Sequence, residues 1–419
     1  MPTDNSWTRS RDIAAAQHPL PTAQKPLTEA YGHVLAKDTS ALIAVSHYVS
    51  AAMDGYAINT PESFTGPWKL VSEGRRDGNL ELAAGEAAGI LTGSAVPETA
   101  TSVLRIEHTR IEDGLIYLLP NHTQTRDLEP EANIRGAGAE VVAGQRILTA
   151  RTLIGPAELA AAAVAGVDYL ECYPKPRIGF VFTGDEVITE GLPGPGEVRD
   201  AFSPYFAQLM CELRHGSQRI PAETIYQARI DDDLDSMSAE LVRAASEVDV
   251  LITTGGTGFS SADYLRRALA QEGAQILVPE ISMRPGHPTV LAQLPATEQQ
   301  RLAGRGGTFV VGLPGNPLAA LAGFATVGMP LLAALSGVGQ LTEHHGVAGE
   351  TCQTKKGPRL MPARDQQGVI QASTFYGSAM LRGLLGAQYF AVVSEETNPG
   401  DLIPLLPLPW ANFDPQRGA

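Results

Sequence analysis

The chain has 419 residues, 43% of them hydrophobic, and sets 31 Lys and Arg against 46 Asp and Glu for a formal net charge of −15. This is material for roughly two to four folded domains rather than a disordered polymer. The acidic balance excludes nucleic acid as an expected partner, because that binding is driven by Lys and Arg on phosphates.

The N-terminal Met1–Ser6 lacks the charged-then-apolar pattern of a secretory signal. Residues 1–175 open with a helical segment. Short strands broken by turns follow from about Asp54 to Arg135, an inserted β-rich domain, and the Ala-rich stretch Pro156–Gly166 is compatible with a second helix. Three cysteines, Cys172, Cys211 and Cys352, are too scattered for a disulfide framework and fit a reducing cytoplasm.

From Pro176 to Ser336, strands and helices alternate. Ile178–Phe182 is an apolar run of buried-strand character, closed by Thr183-Gly184-Asp185-Glu186. The next helix has Ser203 as its expected cap, Pro204 in the first turn, and Phe206, Leu209, Met210 and Leu213 on one face. Ile225–Ile230 reads as a strand. Asp231, Asp232 and Asp233 then precede a helix whose apolar stripe is Leu234, Met237 and Leu241. Val248–Thr253 runs into Thr254-Gly255-Gly256-Thr257-Gly258, with a helix expected from near Ser261, and Thr308–Leu313 leads to a helix after Pro317. Gly306–Thr342 holds no formal charge. Pro314, Pro317 and Pro330 divide it into pieces shorter than the ~20 residues of a membrane span, so it reads as buried core and no transmembrane segment is expected. Residues 337–419 are β-like and end in a Pro-rich tail.

Such alternation predicts a doubly wound α/β domain with a largely parallel sheet covered on both faces. Ligands of such sheets bind at the carboxyl ends of the strands, where the Gly-rich turns fall. Gly255-Gly256-Thr257-Gly258 can present successive backbone N–H groups to an anion, although a plain strand-to-helix turn has the same composition. Leu313-Pro314-Gly315-Asn316-Pro317 joins strand to helix in the same way, with Asn316 as a cap candidate. Asp54, Glu186, Asp200, Asp249 and Asp263 recur at strand ends and loops, where carboxylates suit a divalent cation bridged to phosphate oxygens; each alone also suits a cap or a solvated surface. Met283-Arg284-Pro285-Gly286-His287-Pro288 adds two cation candidates. No P-loop Lys, dinucleotide fingerprint, H-E-x-x-H or G-x-S-x-G occurs, and His344-His345 reads as a surface pair.

Assembled, these strings resemble the MoeA/gephyrin E-domain family, the molybdopterin molybdenumtransferases, along nearly the whole chain. Ser50-Ala51-Ala52-Met53-Asp54-Gly55-Tyr56-Ala57 is similar to the family's N-S-A-M-D-G-Y-A loop. Thr92-Gly93-Ser94-Ala95-Val96-Pro97-Glu98 and Asn133-Ile134-Arg135 follow, then Thr183-Gly184-Asp185-Glu186, Thr254-Gly255-Gly256, Arg284-Pro285-Gly286, Leu313-Pro314-Gly315-Asn316-Pro317, and Gly377-Ser378 with Leu381. The resemblance implies a MoeA N-terminal region over 1–175, a MogA-like molybdopterin-binding α/β domain over 176–336, and a small β-barrel over 337–419. It also implies an elongated homodimer with a cleft shared between subunits. The implied enzyme takes adenylylated molybdopterin and molybdate, inserts the metal into the dithiolene, and releases AMP with Mg2+ present. Carried across, Asp54, Glu186, Asp249 and Asp263 become the acidic active-site groups, with Glu186 and Asp263 for the metal and Glu140 at a position where the family has Asp. Arg135, Thr183, Gly184, Gly255, Gly256, Thr257, Arg284, His287, Pro314, Gly315 and Asn316 become the substrate-binding set.

The chain departs from the family at several of these points. Arg284-Pro285-Gly286-His287 stands for K-P-G-K, Thr257-Gly258-Phe259-Ser260-Ser261 interrupts the G-G-V-S-x-G loop, Asp200-Ala201-Phe202 replaces D-x-N, and Thr101 holds an Asp position. The planar fork of Arg does not copy the point charge of Lys. These losses leave a second reading beside the transferase: a gephyrin-like dimeric scaffold that binds a peptide tail of a cytoskeletal, cell-division or membrane receptor protein at the dimer cleft.

Overall fold

The computed structural model describes residues 5–72, 80–256, 264–354 and 357–411. They divide into two compact units: residues 38–149 with 156–169, and the remainder of the chain.

The smaller unit is built on the inserted β domain. Its six strands lie in the order Ser102–Arg105, Gly55–Ile58, Glu86–Ile90, Trp68–Ser72, Leu115–Leu118, Thr109–Glu112. Alternation along the strands sends Ile58, Trp68, Ala87, Leu104 and Ile116 to one apolar cluster and Ala57, Ala88, Ile90 and Val103 to another. The Ala-rich stretch forms the helix Pro156–Val164.

The larger unit contains the expected α/β domain. Its sheet runs Glu223–Arg229, Arg177–Phe182, Val250–Thr254, Phe309–Leu313, Val290–Gln293, Gln275–Val278; the first four strands are parallel, and Val290–Gln293 is antiparallel to both of its neighbours. Phe180 and Phe182 point into one core with the helices Ser203–Glu212 and Pro317–Gly323. Val181, Leu251 and Val310 point into another with Leu234–Glu247 and Tyr264–Gln271. Both faces are covered, which is the doubly wound arrangement. The antiparallel hairpin was not legible in the sequence, where Gln275–Val278 and Val290–Gln293 show neither clean alternation nor a tight-turn signal between them. The opening helix, Trp7–Ala15, is capped by Ser6, whose Oγ accepts from Arg9 N–H at 3.3 Å. It packs Ala14 into the first of these cores.

Two further expectations are corrected. Pro330 does not end its helix: helical backbone runs through Pro317–Gly323, a π segment Phe324–Gly328, and Met329–Leu335. Pro330 sits just inside the last segment, where the wider π turn has already altered the hydrogen-bond ladder that a proline would interrupt. The resulting 19-residue helix is long and apolar enough to cross a membrane, and it is buried throughout within the domain. The cap of Ser203–Glu212 is also not Ser203. Asp200 accepts from the N–H groups of Phe202 (2.8 Å) and Ser203 (3.1 Å) and from the Ser203 hydroxyl.

Residues beyond the α/β domain close a five-stranded barrel from His344–Ala348, Val369–Ala372, Arg359–Gln366, Tyr389–Val393 and Leu402–Pro407. Ile370, Tyr389, Ile403 and Leu405 fill it.

Candidate active site at the carboxyl ends of the parallel strands

The parallel strands place three turns side by side. After Arg177–Phe182, Thr183 donates both its N–H (3.2 Å) and its hydroxyl (2.9 Å) to Thr254 O, which ties the first turn to the second. Gly255 donates its N–H to Leu313 O at 2.9 Å, which ties the second to the third. Gly255 has φ +91° and Gly256 φ +63°; a Cβ on Gly255 would overlap the Thr183 hydroxyl, so both backbone angle and space call for glycine.

These turns line a cavity of about 700 Å³. Thr183, Gly184, Glu186, Gly255, Gly256, Pro314, Gly315 and Asn316, all expected from the sequence, stand on its wall. Sequence reasoning missed Arg199, Phe202, Asp232 and Leu381, which line it as well. Asp232 was read only as charge at a helix start. In the structure Asp233 caps that helix, accepting from Ser236 N–H at 2.8 Å, while Asp232 reaches across to accept from Gly184 N–H (3.0 Å) and Asp185 N–H (3.3 Å). A protein carboxylate thus holds the donors of the first turn.

The other turns also offer fewer free donors than their composition suggests. Leu318 and Ala319, at the start of the helix after Pro317, both donate to Ser378 O, at 2.9 and 3.1 Å. Asn316 makes no side-chain cap bond, and among the described residues its amide on the cavity wall has no hydrogen-bond partner. Glu186 is exposed, folded back so that a Cβ on Gly184 would meet its carboxylate oxygens at 3.2 and 3.3 Å.

Asp249 does not belong with this group. It precedes the strand Val250–Thr254 and so lies at the opposite, amino end of the sheet, 6% exposed. Its carboxylate accepts from Arg177 N–H at 2.9 Å and pairs with Arg305 at 3.1 Å, a structural clasp between strand starts. Asp200, besides capping its helix, pairs with Arg229 at 2.6 Å. Arg284 and His287 are not on the cavity wall; Pro288 represents their turn. Arg284 joins the barrel through its backbone, donating to Pro358 O (3.0 Å) and accepting from Leu360 N–H (2.8 Å). His287 bonds Ile281 O through Nδ1 at 2.8 Å and has Nε2 3.6 Å from Glu280. Asp263 and Thr257 lie outside the described residues.

In the smaller unit the three matched strings converge. Ser50–Ala51 pairs with Ile134–Arg135, Ala51 N–H donates to Ser94 O (3.0 Å), and Ala52 N–H donates to Asn133 O (2.8 Å). Asp54 is exposed beside them and accepts from Thr92 N–H (2.7 Å) and the Thr92 hydroxyl (2.8 Å), which hold its carboxyl below the usual carboxylate range. Arg135 and Glu140 are exposed in the same unit.

Fold and site together define the class: a multidomain protein whose doubly wound α/β core carries a ligand cavity at its strand ends. Residues 6–166 match the MoeA N-terminal region (domain I and II), and residues 179–334 match a probable molybdopterin binding domain that contains most of the cavity wall. The chain is 27% identical over 402 residues to the molybdopterin molybdenumtransferase of Haemophilus influenzae, covering 93% of each chain. It is 30% identical over 322 residues to molybdopterin molybdenumtransferase 2 of Mycobacterium tuberculosis, covering 71% of each. The solved structure of the molybdopterin biosynthesis MoeA protein from Pyrococcus horikoshii shares the fold, with a TM-score of 0.74 at 20% identity over 96% of this chain and 98% of that one. This chain belongs to the molybdopterin molybdenumtransferase family. Nothing in its fold or relatives favours the peptide-binding scaffold.

Proposed function

We propose that the chain is a molybdopterin molybdenumtransferase of molybdenum cofactor biosynthesis, acting in the cytoplasm as a homodimer on adenylylated molybdopterin and molybdate with release of AMP. The observation that carries this reading is the cavity of about 700 Å³ bounded by both Gly-rich turns and Glu186, within the segment that matches a molybdopterin binding domain.

The cavity suits a planar, phosphate-bearing ligand. Phe202, Val187, Val198 and Leu381 give apolar wall, while Asn316 and the backbone of Gly256 give polar points. No group of three or more His, Cys, Asp or Glu able to hold a metal occurs among the described residues. A Mg2+ carried on substrate phosphates needs only one or two protein carboxylates, and Glu186 meets that requirement because, among the described residues, no N–H group engages its carboxylate as Gly184 and Asp185 engage that of Asp232. Glu186 would hold the ion, with Asp263 as the second ligand that the resemblance names, and the ion would supply charge neutralisation at the phosphates. Asp232 keeps the turn that carries Glu186 in place, and the interlocked Thr183–Thr254–Gly255 bonds keep the floor rigid before substrate arrives.

The test is AMP release from adenylylated molybdopterin by purified protein, with and without molybdate and Mg2+. Molybdate-dependent release is expected, and Glu186→Ala is expected to lower kcat by about 100-fold or more. A folded wild-type protein with no release above background would overturn the reading. Light scattering on the same sample reads the homodimer directly.

A further inference from the structure

A phosphate-bearing substrate brings negative charge into a wall that already holds Glu186 and Asp232. Among the described residues several backbone donors there are already engaged: Gly184 N–H is held by Asp232, Gly255 N–H by Leu313 O, and the helix start after Pro317 by Ser378 O. Among the described residues of this wall one side chain is basic, Arg199. It comes from a segment that the cavity shapes on both sides: Val187–Ile188 pairs in parallel with Val198–Arg199, so that Glu186 and Arg199 enter the site from adjacent short strands. The intervening loop carries Gly191, Pro193, Gly194, Pro195 and Gly196, and its Leu192 is 95% exposed. Arg199 is exposed, and its guanidinium makes one hydrogen bond among the described residues, donating from one terminal nitrogen to Gly191 O at 2.9 Å.

A guanidinium has five N–H donors in a planar fork that matches phosphate oxygens two at a time. A neutral carbonyl in an exposed loop is a weak partner for it, and a phosphate is about twice as strong an acceptor. We propose that Arg199 is the cation that binds the phosphate-bearing part of the substrate, a phosphate ester or anhydride, exchanging the Gly191 carbonyl for phosphate oxygens. This assignment rests on the transferase reading and adds a substrate-binding residue to it. It also supplies positive charge to a wall whose lining does not include Arg284 or His287.

The experiment measures kcat and KM for AMP release from adenylylated molybdopterin by wild type, Arg199→Gln and Arg199→Lys, each at several ionic strengths, with thermal melting as a check that the variants fold. Arg199→Gln is expected to raise KM by about 10- to 100-fold with kcat changed only a few-fold. Arg199→Lys, which keeps charge without the fork, should fall between the two. Wild-type KM should rise with salt, and this dependence should flatten in Arg199→Gln and persist in Arg199→Lys. A residue that merely staples the Gly191 loop would leave the salt dependence unchanged. Release by wild type with the same KM and salt dependence in Arg199→Gln overturns the assignment alone. Absence of release by wild type overturns the transferase reading, and the assignment with it.

Discussion

The carboxylates of this chain look alike in sequence and differ sharply in what surrounds them. Asp127 is buried, and burial raises its pKa. Hydrogen bonds from Asn133 (3.0 Å), Arg105 N–H (3.1 Å) and His108 (2.7 Å), with the Arg105 charge, outweigh that and hold it below the usual range. Because the folded pKa is depressed, the stability Asp127 gives is present above the unfolded value of about 3.9 and is lost as pH falls through the folded one. Asp127→Asn is therefore expected to destabilise the smaller unit by about 1–3 kcal/mol at pH 7. In urea titrations the gap from wild type should narrow below about pH 4; a gap independent of pH would contradict the ionised role. Asp127, Asp232 and Arg199 escaped sequence reading for one reason. What each does depends on the three-dimensional partners the fold brings to it, 48 residues away in the case of Asp232 and Gly184, while the Gly-rich turns carry their own local signature. Asp249 was misplaced by the converse error, since a charge beside a strand does not reveal which end of the sheet it occupies.

Strands and helices with a strong apolar pattern were legible almost to the residue: Arg177–Phe182 against an expected 178–182, and Phe309–Leu313 against 308–313. The helix from Pro317 to Leu335 was legible in its start and not in its length, because prolines are read as breaks and a π turn leaves no local mark. Its packing makes a sharp prediction. Gly323 has ordinary helical angles, so alanine there should gain up to about 1 kcal/mol in helix propensity. A Cβ at that position, however, would overlap the Thr289 hydroxyl and lie 3.2 Å from Thr289 Cβ, and that hydroxyl is anchored to Gly286 O at 2.7 Å. Overpacking is expected to win, with Gly323→Ala destabilising by about 1–3 kcal/mol. Adding Thr289→Ala should recover part of the loss, and a double-mutant cycle in thermal unfolding would detect the coupling. Additive effects would show that the helix shifts to make room.

Domain order followed from the ordered motifs, but the compact units do not follow the chain's linear divisions. The opening helix and the barrel share a core with the α/β domain, as Ala14, Leu360 and Phe390 beside Phe180 show, and long-range contacts of this kind leave no periodicity in the sequence. His215 is the polar counterpart of that shared core. It lies on the short hairpin Arg214–His215 with Gln218–Arg219, where Arg214 N–H donates to Pro409 O, and its own Nε2–H donates to Thr342 O at 2.9 Å. The α/β domain, the segment leading to the barrel and the tail are thus joined within a few residues. The ring is buried, its Nδ1 has no hydrogen-bond partner among the described residues, and the charged or titratable groups near it are Arg11 and His344. Burial first, then the Arg11 charge, lowers its pKa to about 3, against a weaker opposing pull from Thr342 O. An unfolded chain protonates this ring near pH 6.5 while the folded one does not until about 3, so its contribution to stability is complete above 6.5 and drains away as pH falls. The slope from this one group reaches about 1.4 kcal/mol per pH unit inside that window. Unfolding free energies measured from pH 7.5 to 4.5 should therefore fall more steeply for wild type than for His215→Gln, whose amide can still donate to Thr342 O without a site to titrate. Parallel curves would mean that His215 is protonated in the native state, and that the join between domains tolerates a buried charge.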